Sequence, residues 1–167
     1  MSIAIVPGSF DPMTLGHLDV IRYSSEHYDE VVVAVMINRE KIYRFDMKTR
    51  VEIAKRSVAQ FPNVRVISDE GMLIDLFDRL HADAVCKGYR NGTDYEYEQK
   101  MAEWNRAHNP RFRTVLIPAD RQRTELSSTQ VRGHLDCGAD IGGLVHPDAL
   151  DLIKETIEKN DLGRIEK

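Results

Sequence analysis

The sequence has little of what marks secreted, membrane-bound and nucleic-acid-binding proteins. Cys86 and Cys137 are the only cysteines among 167 residues, too few for a disulfide framework, and this scarcity favours a reducing compartment. No apolar run approaches the ~20 residues that span a bilayer, and residues 1–6 carry no basic segment of the kind that begins a signal peptide. The formal net charge of −4 disfavours nucleic acid as a partner. We expect a cytoplasmic protein that does not bind membranes.

The common signatures of metal and nucleotide sites are also missing. The six histidines show no spacing typical of a protein-bound zinc ion, so no metal-ligating residues are predicted. Neither G-x-x-x-x-G-K-[ST] nor G-x-G-x-x-G occurs in the sequence. Cys86 lies in a predicted strand and Cys137 has the character of a plain thiol, which disfavours nucleophilic cysteine chemistry.

The length and composition predict one globular domain over residues 1–167. Hydrophobic residues make up 42% and charged residues 30%, as in ordinary soluble domains. A chain of this size can bury about 70% of the surface that it exposes when unfolded, so its core needs no disulfide or metal. Residues 161–167 are polar and are expected to form a frayed tail.

Short β-branched runs alternate with helical patterns along the chain. Runs bounded by turn residues predict five strands buried on both faces of a sheet, at residues 3–6, 31–37, 64–67, 84–86 and 114–117. Apolar spacing and start signals predict helices between and after them, at residues 15–26, 47–61, 72–81 and 93–108, from 127 onward, and at 147–159. This alternation predicts an α/β domain of the Rossmann-like, doubly wound class, with a five-stranded parallel sheet and helices on both faces.

In this class, ligands bind in the loops that follow the strands, and the first such loop has an anion-binding composition. Gly8 allows close approach of the backbone, and Ser9 offers a hydroxyl group. Gly16 and His17 lie in the first turn of the next helix, where unpaired N–H groups and the positive helix end attract anions. An isolated Gly-His pair is more often a plain helix start, so the pair gains meaning only from its context.

Three segments of the chain resemble motifs of the bacterial phosphopantetheine adenylyltransferase family, which belongs to the nucleotidylyltransferase superfamily. They are residues 7–19, PGSFDPMTLGHLD, with the (His/Thr)-x-Gly-His hallmark, residues 87–90, KGYR, with the helix that follows, and residues 127–132, SSTQVR. Each segment alone is a weak signal, but the three in the family's order and spacing are a strong one, and the resemblance extends over nearly the whole chain. The resemblance implies that ATP adenylylates 4'-phosphopantetheine, giving dephospho-CoA and pyrophosphate for coenzyme A biosynthesis. It further implies in-line attack without a covalent intermediate, Mg²⁺ as cofactor to neutralise the triphosphate, and a homo-oligomer, commonly a hexamer.

The same resemblance implies roles for individual residues. His17, Lys41 and Arg90 would be catalytic, with His17 donating to the reacting phosphate and Arg90 on the distal phosphates. The acceptor would bind Ser9, Lys41, Leu73 and Lys87. ATP would bind Ser9, Phe10, His17, Gly88, Tyr89, Arg90, Glu98, Arg123, Thr124, Glu125, Leu126, Ser127, Ser128 and Thr129.

Plainer interpretations remain open for several of these residues. Lys41 stands among other charged residues and could belong to a solvated loop, and Glu98 could be surface charge on its helix. Four large side chains of that helix fit packing or subunit contact better than stacking on a base. They are Tyr95, Tyr97, Met101 and Trp104.

The chain departs from the family pattern at several positions. Val6 replaces an aromatic residue, residues 41–45 lack the usual proline, and residues 123–126 lack the usual aromatic. Lys87 replaces an arginine, which exchanges a bidentate fork for a point charge. Two alternatives therefore stay open: a nucleotidylyltransferase that uses another phosphate acceptor, and a nucleotide-binding regulator without turnover.

Overall fold

Five β-branched runs form one parallel sheet with the strand order β3-β2-β1-β4-β5. The computed structural model describes residues 1–165 and the side chains of residues 1–163. The strands are Ile3–Gly8 (β1), Glu30–Met36 (β2), Val64–Asp69 (β3), Ala84–Tyr89 (β4) and Thr114–Pro118 (β5). The predicted fold class is confirmed, and four of the five strands extend one or more residues past their predicted carboxyl ends, toward the loops of interest.

Helices follow the strands and cover both faces of the sheet. They are Leu15–His27 (α1), Met47–Val58 (α2), Leu73–Arg79 (α3), Gly92–His108 (α4), Ser128–Asp136 (α5) and Pro147–Ile165 (α6), with one 3-10 turn at Arg121–Arg123. In the described part of the chain, none of these helices is both long enough and apolar enough to cross a membrane.

Alternate residues of the central strand β1 point to opposite sides of the sheet, as the pleat requires. Ala4 and Val6 join the larger apolar cluster, which includes Ile53 of α2. Ile5 between them joins a smaller cluster with Phe77 of α3. The sheet is therefore buried on both faces, which explains the continuous apolar runs in the sequence.

Several helix ends differ from the sequence prediction by one or more residues, and three of them have a clear physical reason. Helix α4 is capped by Asn91 rather than Thr93, because the Asn91 side chain accepts a hydrogen bond from the Asp94 N–H at 2.9 Å. Helix α2 ends at Val58 rather than at residue 61, since Phe61 precedes Pro62 and a residue before proline disfavours the helical conformation.

The last helix also continues farther than predicted, because residues 161–165 belong to α6 instead of a frayed tail. Residues 160–163 include Asn, Asp and Gly, but each of these lowers helix stability by only about 1 kcal/mol or less, whereas a proline would break the helix. Residues 166–167 of the expected tail lie outside the described residues.

The chain builds the sheet outward from its centre. After β1 it adds β2 and β3 on one side, and then returns to add β4 and β5 on the other side. The loops after β1 and β4 therefore diverge, and a crevice opens at the carboxyl ends of these two strands.

Candidate active site

A cavity of about 760 Å³ occupies that crevice, within the size range of small-molecule sites. Most of the predicted site residues line it. They are Ser9, Phe10, His17, Lys41, Leu73, Lys87, Gly88, Tyr89, Arg90, Glu98, Arg123, Leu126, Ser127 and Ser128. The fold therefore brings together residues that lie more than 100 positions apart in the sequence.

Three residues of the predicted nucleotide segment do not reach the cavity. Thr124, Glu125 and Thr129 are exposed and lie outside its lining. A 3-10 turn and the start of a helix present only some of their consecutive side chains to one side, and here Arg123, Leu126 and Ser127 take the inner positions. The Thr129 hydroxyl instead accepts a hydrogen bond from Arg132 at 3.1 Å.

His17 is held at the start of α1 by a reciprocal capping arrangement with Thr14. The His17 N–H donates to the Thr14 hydroxyl oxygen at 3.4 Å, and the Thr14 N–H donates to Nδ1 of His17 at 2.9 Å. Nδ1 is therefore an acceptor without a proton. In the neutral ring the proton must lie on Nε2, so the imidazole presents a donor on its other side.

The surroundings of His17 keep its ring neutral. Burial lowers the pKa of His17 to about 4, and the nearby Arg90 guanidinium adds to this effect, since a charged imidazole would lose hydration and be repelled by a second cation. Near neutral pH the ring is therefore an uncharged hydrogen-bond donor.

The loop after β1 fixes one side of this histidine. The ring of Phe10 meets the His17 ring edge to face, with centroids 5.0 Å apart. Phe10 has a φ of 48°, in the left-handed region that costs a non-glycine residue about 1–2 kcal/mol. A Cβ atom on residue 8 would lie 2.9 Å from the Phe10 ring. Gly8 is therefore required to let the Phe10 ring fold back over the loop.

A second glycine brings β4 against α1. A Cβ atom on Gly88 would lie 2.8 Å from Cγ2 of Val20, closer than real side chains approach. The absence of a side chain at residue 88 lets the strand that carries Lys87 approach the helix that carries His17. The charged ammonium group of Lys87 and the neutral ring of His17 can then face the same ligand.

Three cations of the cavity are each paired with a carboxylate. The pairs are Lys87 with Glu98 at 2.8 Å, Arg90 with Asp94 at 3.0 Å and Arg123 with Asp19 at 2.5 Å. The side chains in these pairs keep between 16% and 39% of their exposure. Because these ion pairs are partly exposed to solvent, an anionic ligand can compete with the carboxylates for the three cations.

Lys41 differs from these three cations. It lies in the exposed loop between β2 and α2 and lines the cavity. Among the side chains of residues 1–163, no carboxylate forms an ion pair with it; the carboxylates at the cavity pair instead with the three cations named above. Its ammonium group is available to a ligand without displacement of a partner.

The start of α5 offers backbone groups rather than hydroxyl groups. The Ser127 hydroxyl caps the helix by accepting from the Gln130 N–H at 3.1 Å, and the Ser128 hydroxyl donates to the Pro12 carbonyl at 2.8 Å. Both hydroxyls, which were predicted to bind phosphate, are therefore already hydrogen-bonded within the protein, and a phosphate would have to compete with these contacts. The first N–H groups of the helix remain suited to an anion.

The sequence reasoning did not predict the residues that hold the predicted site side chains in place. Asp94 follows Arg90 by four residues, a helical ion-pair spacing that could have revealed it. Thr14 precedes His17 by three residues, which is the capping-box spacing. Asp19 lies 104 residues from Arg123, and no local signal links the two.

Within the described residues, no group of three or more His, Cys, Asp or Glu side chains could hold a metal ion. Three carboxylates border the cavity, but each already has a cationic partner. A Mg²⁺ ion held by ligand phosphates and water needs no such protein cage. The residues present fit an ion that enters with a polyphosphate.

Comparison with known proteins gives consistent matches. The model of the cytidylyltransferase-like family matches residues 5–134. A phosphopantetheine adenylyltransferase of Clostridium kluyveri is 40% identical over 156 residues, covering 93% of this chain and 95% of the relative. A protein of the same name from Streptomyces coelicolor is 40% identical over 157 residues, covering 94% and 98%. One from Limosilactobacillus reuteri is 36% identical over 167 residues, covering 100% and 96%.

A solved structure supports the fold. It is described as a nicotinate-nucleotide adenylyltransferase from Vibrio parahaemolyticus, and it superposes with a TM-score of 0.73 over 94% of each chain. Its sequence identity of 22% makes it a match in fold alone.

Proposed function

Because the chain belongs to the phosphopantetheine adenylyltransferase family, as its sequence motifs predict, we propose that it transfers the adenylyl group of ATP to 4'-phosphopantetheine. The products are dephospho-CoA, an intermediate of coenzyme A biosynthesis, and pyrophosphate. The observation that carries the proposal is the convergence of Ser9, His17, Lys41 and Arg90 on one cavity, in a chain whose relatives of that name match over nearly its whole length.

The reaction needs no covalent intermediate with the protein. A phosphate oxygen of the acceptor attacks the α-phosphorus of ATP and forms a new P–O bond. The bond from the α-phosphorus to the bridging oxygen breaks, and pyrophosphate leaves with its electron pair. Such a transfer depends on positioning and on neutralising charge.

His17 supplies a donor that is already in place. Its Nδ1 is occupied by the Thr14 N–H, so the Nε2–H can donate to an α-phosphate oxygen as negative charge develops there. The lowered pKa of His17, about 4, means that the ring holds this form without a change of protonation during the transfer.

Lys41 would bring positive charge between the acceptor phosphate and the α-phosphate. Because its ammonium group has no carboxylate partner among the described side chains, it can offer its full charge to two anionic groups that must approach each other. Their mutual repulsion is otherwise a large part of the barrier.

Arg90, Arg123 and the first turns of α1 and α5 would bind the triphosphate. Binding would exchange the carboxylate partners of Arg90 and Arg123 for phosphate oxygens, which the planar arginine fork can also bind in a bidentate manner. Lys87 would leave Glu98 for the acceptor in the same way. Mg²⁺, bound to the triphosphate, would neutralise part of its charge.

We further propose that the protein acts in the cytoplasm and as a homo-oligomer. Family membership supports both proposals, and the hexamer is the assembly expected from the resemblance. Gel filtration with light scattering measures the mass, and a monomer at enzyme concentrations would contradict the proposed assembly.

The direct test is release of pyrophosphate. The protein is incubated with Mg²⁺, each of the four nucleoside triphosphates and a panel of acceptors that includes 4'-phosphopantetheine, nicotinamide mononucleotide and a polyol phosphate. We expect release with ATP and 4'-phosphopantetheine, and none when the acceptor is omitted. Release with another acceptor alone would overturn the proposed substrate, and ATP binding without turnover on any acceptor would indicate a regulator.

A further inference from the structure

We propose that Arg50 and Tyr43 form a clasp that positions the Lys41 loop, residues 37–45, against the loop after β1, and so controls binding of the acceptor. The inference rests on the proposed function for the identity of the acceptor. It concerns two residues that lie outside the lining of the cavity and would act through the residues that line it.

Arg50 occupies a buried position of α2 that would normally hold an apolar core residue. Helix α2 buries Ile53, Ala54, Ser57 and Val58, and residue 50 continues this stripe at helical spacing. Arg50 is only 2% exposed. A long cation buried on the apolar side of a helix needs a specific set of partners to offset its lost hydration.

Those partners are backbone carbonyls from three separate segments. Nη1 of Arg50 donates to the Ser9 carbonyl at 2.8 Å and to the Met36 carbonyl at 3.2 Å, and Nε donates to the Phe45 carbonyl at 3.2 Å. Met36 ends β2 and Phe45 ends the Lys41 loop. One guanidinium therefore fixes both ends of the loop that carries Lys41 and joins them to the loop that carries Ser9.

Tyr43 completes the clasp from the other side. Its ring stacks on the guanidinium of Arg50, with Cζ 3.9 Å from the ring centroid. Its hydroxyl accepts from the Asn38 N–H at 2.6 Å and lies 3.4 Å from the Ser9 hydroxyl. Tyr43 thus holds the start of the Lys41 loop through Asn38 and contacts the Ser9 side chain, which the acceptor would also contact.

This arrangement points to positioning rather than to stability alone. A hydrophobic residue of similar volume would fill the same space without requiring three carbonyls and a ring to surround it, and buried charges are often poor sources of stability. What the guanidinium adds is a fixed distance between Ser9 and Lys41. Both residues are expected to contact the acceptor, whereas ATP has further contacts on β4 and α5 that the clasp does not touch. Loosening the clasp should therefore weaken acceptor binding more than ATP binding.

The decisive variant is Tyr43→Phe, which removes the hydroxyl and keeps the ring on Arg50. We expect the KM for 4'-phosphopantetheine to rise roughly three- to tenfold, as for the loss of one or two hydrogen bonds. The KM for ATP should stay within about twofold, because the proposed triphosphate contacts on α1, β4 and α5 do not involve Tyr43.

Arg50→Lys is the stronger variant, since an ammonium group cannot reach three carbonyls and stack on a ring at once. We expect kcat/KM for the acceptor to fall by roughly ten- to a hundredfold. Matched controls are Arg56→Lys, an exposed arginine of the same helix paired with Glu52, and Tyr23→Phe, a tyrosine stacked on His27 at the end of α1. Both controls should leave the two KM values unchanged.

Hydrogen exchange gives a readout that does not need turnover. In Tyr43→Phe the amides of residues 37–45 should exchange faster than in the native protein, while those of residues 87–90 should not change. If both variants fold and show unaltered exchange and unaltered KM values, or if the KM for ATP rises as much as that for the acceptor, the clasp is not a positioning device. Failure of the native protein to use 4'-phosphopantetheine, with faster exchange in the variants, would instead overturn the proposed substrate and leave the clasp standing.

Discussion

The two halves of the cavity hold their polar groups in different ways. In the β1–β2 half, which comprises the loop after β1, His17 and the Lys41 loop, buried hydrogen bonds to backbone groups fix the geometry. In the β4–β5 half, which comprises residues 87–98 and 118–128, the cations are held by partly exposed ion pairs. One half is preset before any ligand arrives, whereas the other exchanges its internal partners for those of the ligand.

This difference matches the demands of phosphoryl-group transfer. The reacting centre needs a donor at a fixed distance, because a small misplacement weakens stabilisation of the transition state. The distal phosphates need charge compensation, which tolerates some movement. A substitution in the preset half should therefore reduce kcat, acceptor binding or stability, while a substitution in the exchangeable half should change ATP binding by modest amounts.

The largest effect is expected for His17→Ala. It removes the preset donor at the reacting phosphate, and the loss of one such donor costs about 10²- to 10³-fold in kcat. ATP should still bind within a few-fold of the native affinity, because the exchangeable half is intact. Steady-state kinetics and calorimetric titration with ATP measure the two effects, and His108→Ala on the exposed end of α4 is the control. A variant with near-native kcat would remove His17 from the mechanism.

The second effect is expected for Asp11→Asn, which breaks the preset half without touching the cavity lining. Asp11 is 3% exposed, and its two carboxylate oxygens accept from the N–H groups of Arg44 and Phe45 at 2.9 Å. An amide keeps one acceptor and turns a donor toward an N–H, leaving buried groups unpaired at a cost of about 2–3 kcal/mol.

Urea unfolding measures this change in the free energy of unfolding. Asp78→Asn is a matched control, since Asp78 keeps 57% of its side-chain exposure. Its Oδ1 accepts from the Asn109 amide at 2.8 Å, a bond that an asparagine oxygen can keep, and lies 3.9 Å from Arg111. An equal loss in both variants would mean that the buried contacts of Asp11 are not special.

How far the sequence reaches differs between the same two halves. The five strands and the Gly16-His17 helix start are predictable, because β-branched runs and a local anion-binding turn are contiguous patterns. The capping of α4 is harder, since Asn91 and Thr93 both fit the composition and only the backbone course selects Asn91.

The internal partners of the site lie beyond sequence reasoning. Arg123 and Asp19 meet only when β5 and α1 have packed on the sheet, and Arg50 binds carbonyls, which leave no trace in the sequence. A buried arginine on an apolar helix stripe is a visible anomaly, but its partners depend on the tertiary fold.

The third effect concerns pH and sharpens the description of His17. Its pKa in the folded protein, about 4, lies below the ordinary 6.5, so the unfolded chain binds a proton that the folded protein does not. This contribution to stability is fully present above pH 6.5 and is lost as the pH falls toward 4. From pH 7 to pH 5 it should cost the native protein about 1–2 kcal/mol that His17→Ala does not lose.

Urea unfolding of the native protein and of His17→Ala at pH 7 and pH 5 isolates this contribution, because the carboxylates affect both proteins alike. The native protein should lose more stability than the variant. Equal losses in the two proteins would mean that the ring is not kept neutral by the fold.

The smallest effect is expected for Asp94→Asn, in the exchangeable half. Asp94 accepts from both Nε and the backbone N–H of Arg90, at 3.0 and 3.2 Å, so its carboxylate competes with a phosphate for the guanidinium. The pair is partly exposed, and such pairs contribute about 0–1 kcal/mol. Removing the negative charge should therefore change the Kd for ATP by no more than about fivefold. The Kd falls if the main effect of Asp94 is to compete with phosphate for Arg90, and it rises if the main effect is to orient Arg90.

Titrations with ATP at several salt concentrations distinguish competition by the Asp94 carboxylate from orientation of Arg90. If competition dominates, Asp94→Asn binds ATP more tightly than the native protein at low ionic strength, and the difference shrinks as added salt screens the carboxylate. If orientation dominates, the variant binds more weakly at every salt concentration. A loss of a hundredfold or more would show that Arg90 is as rigidly preset as His17, and the contrast between the two halves would then be wrong.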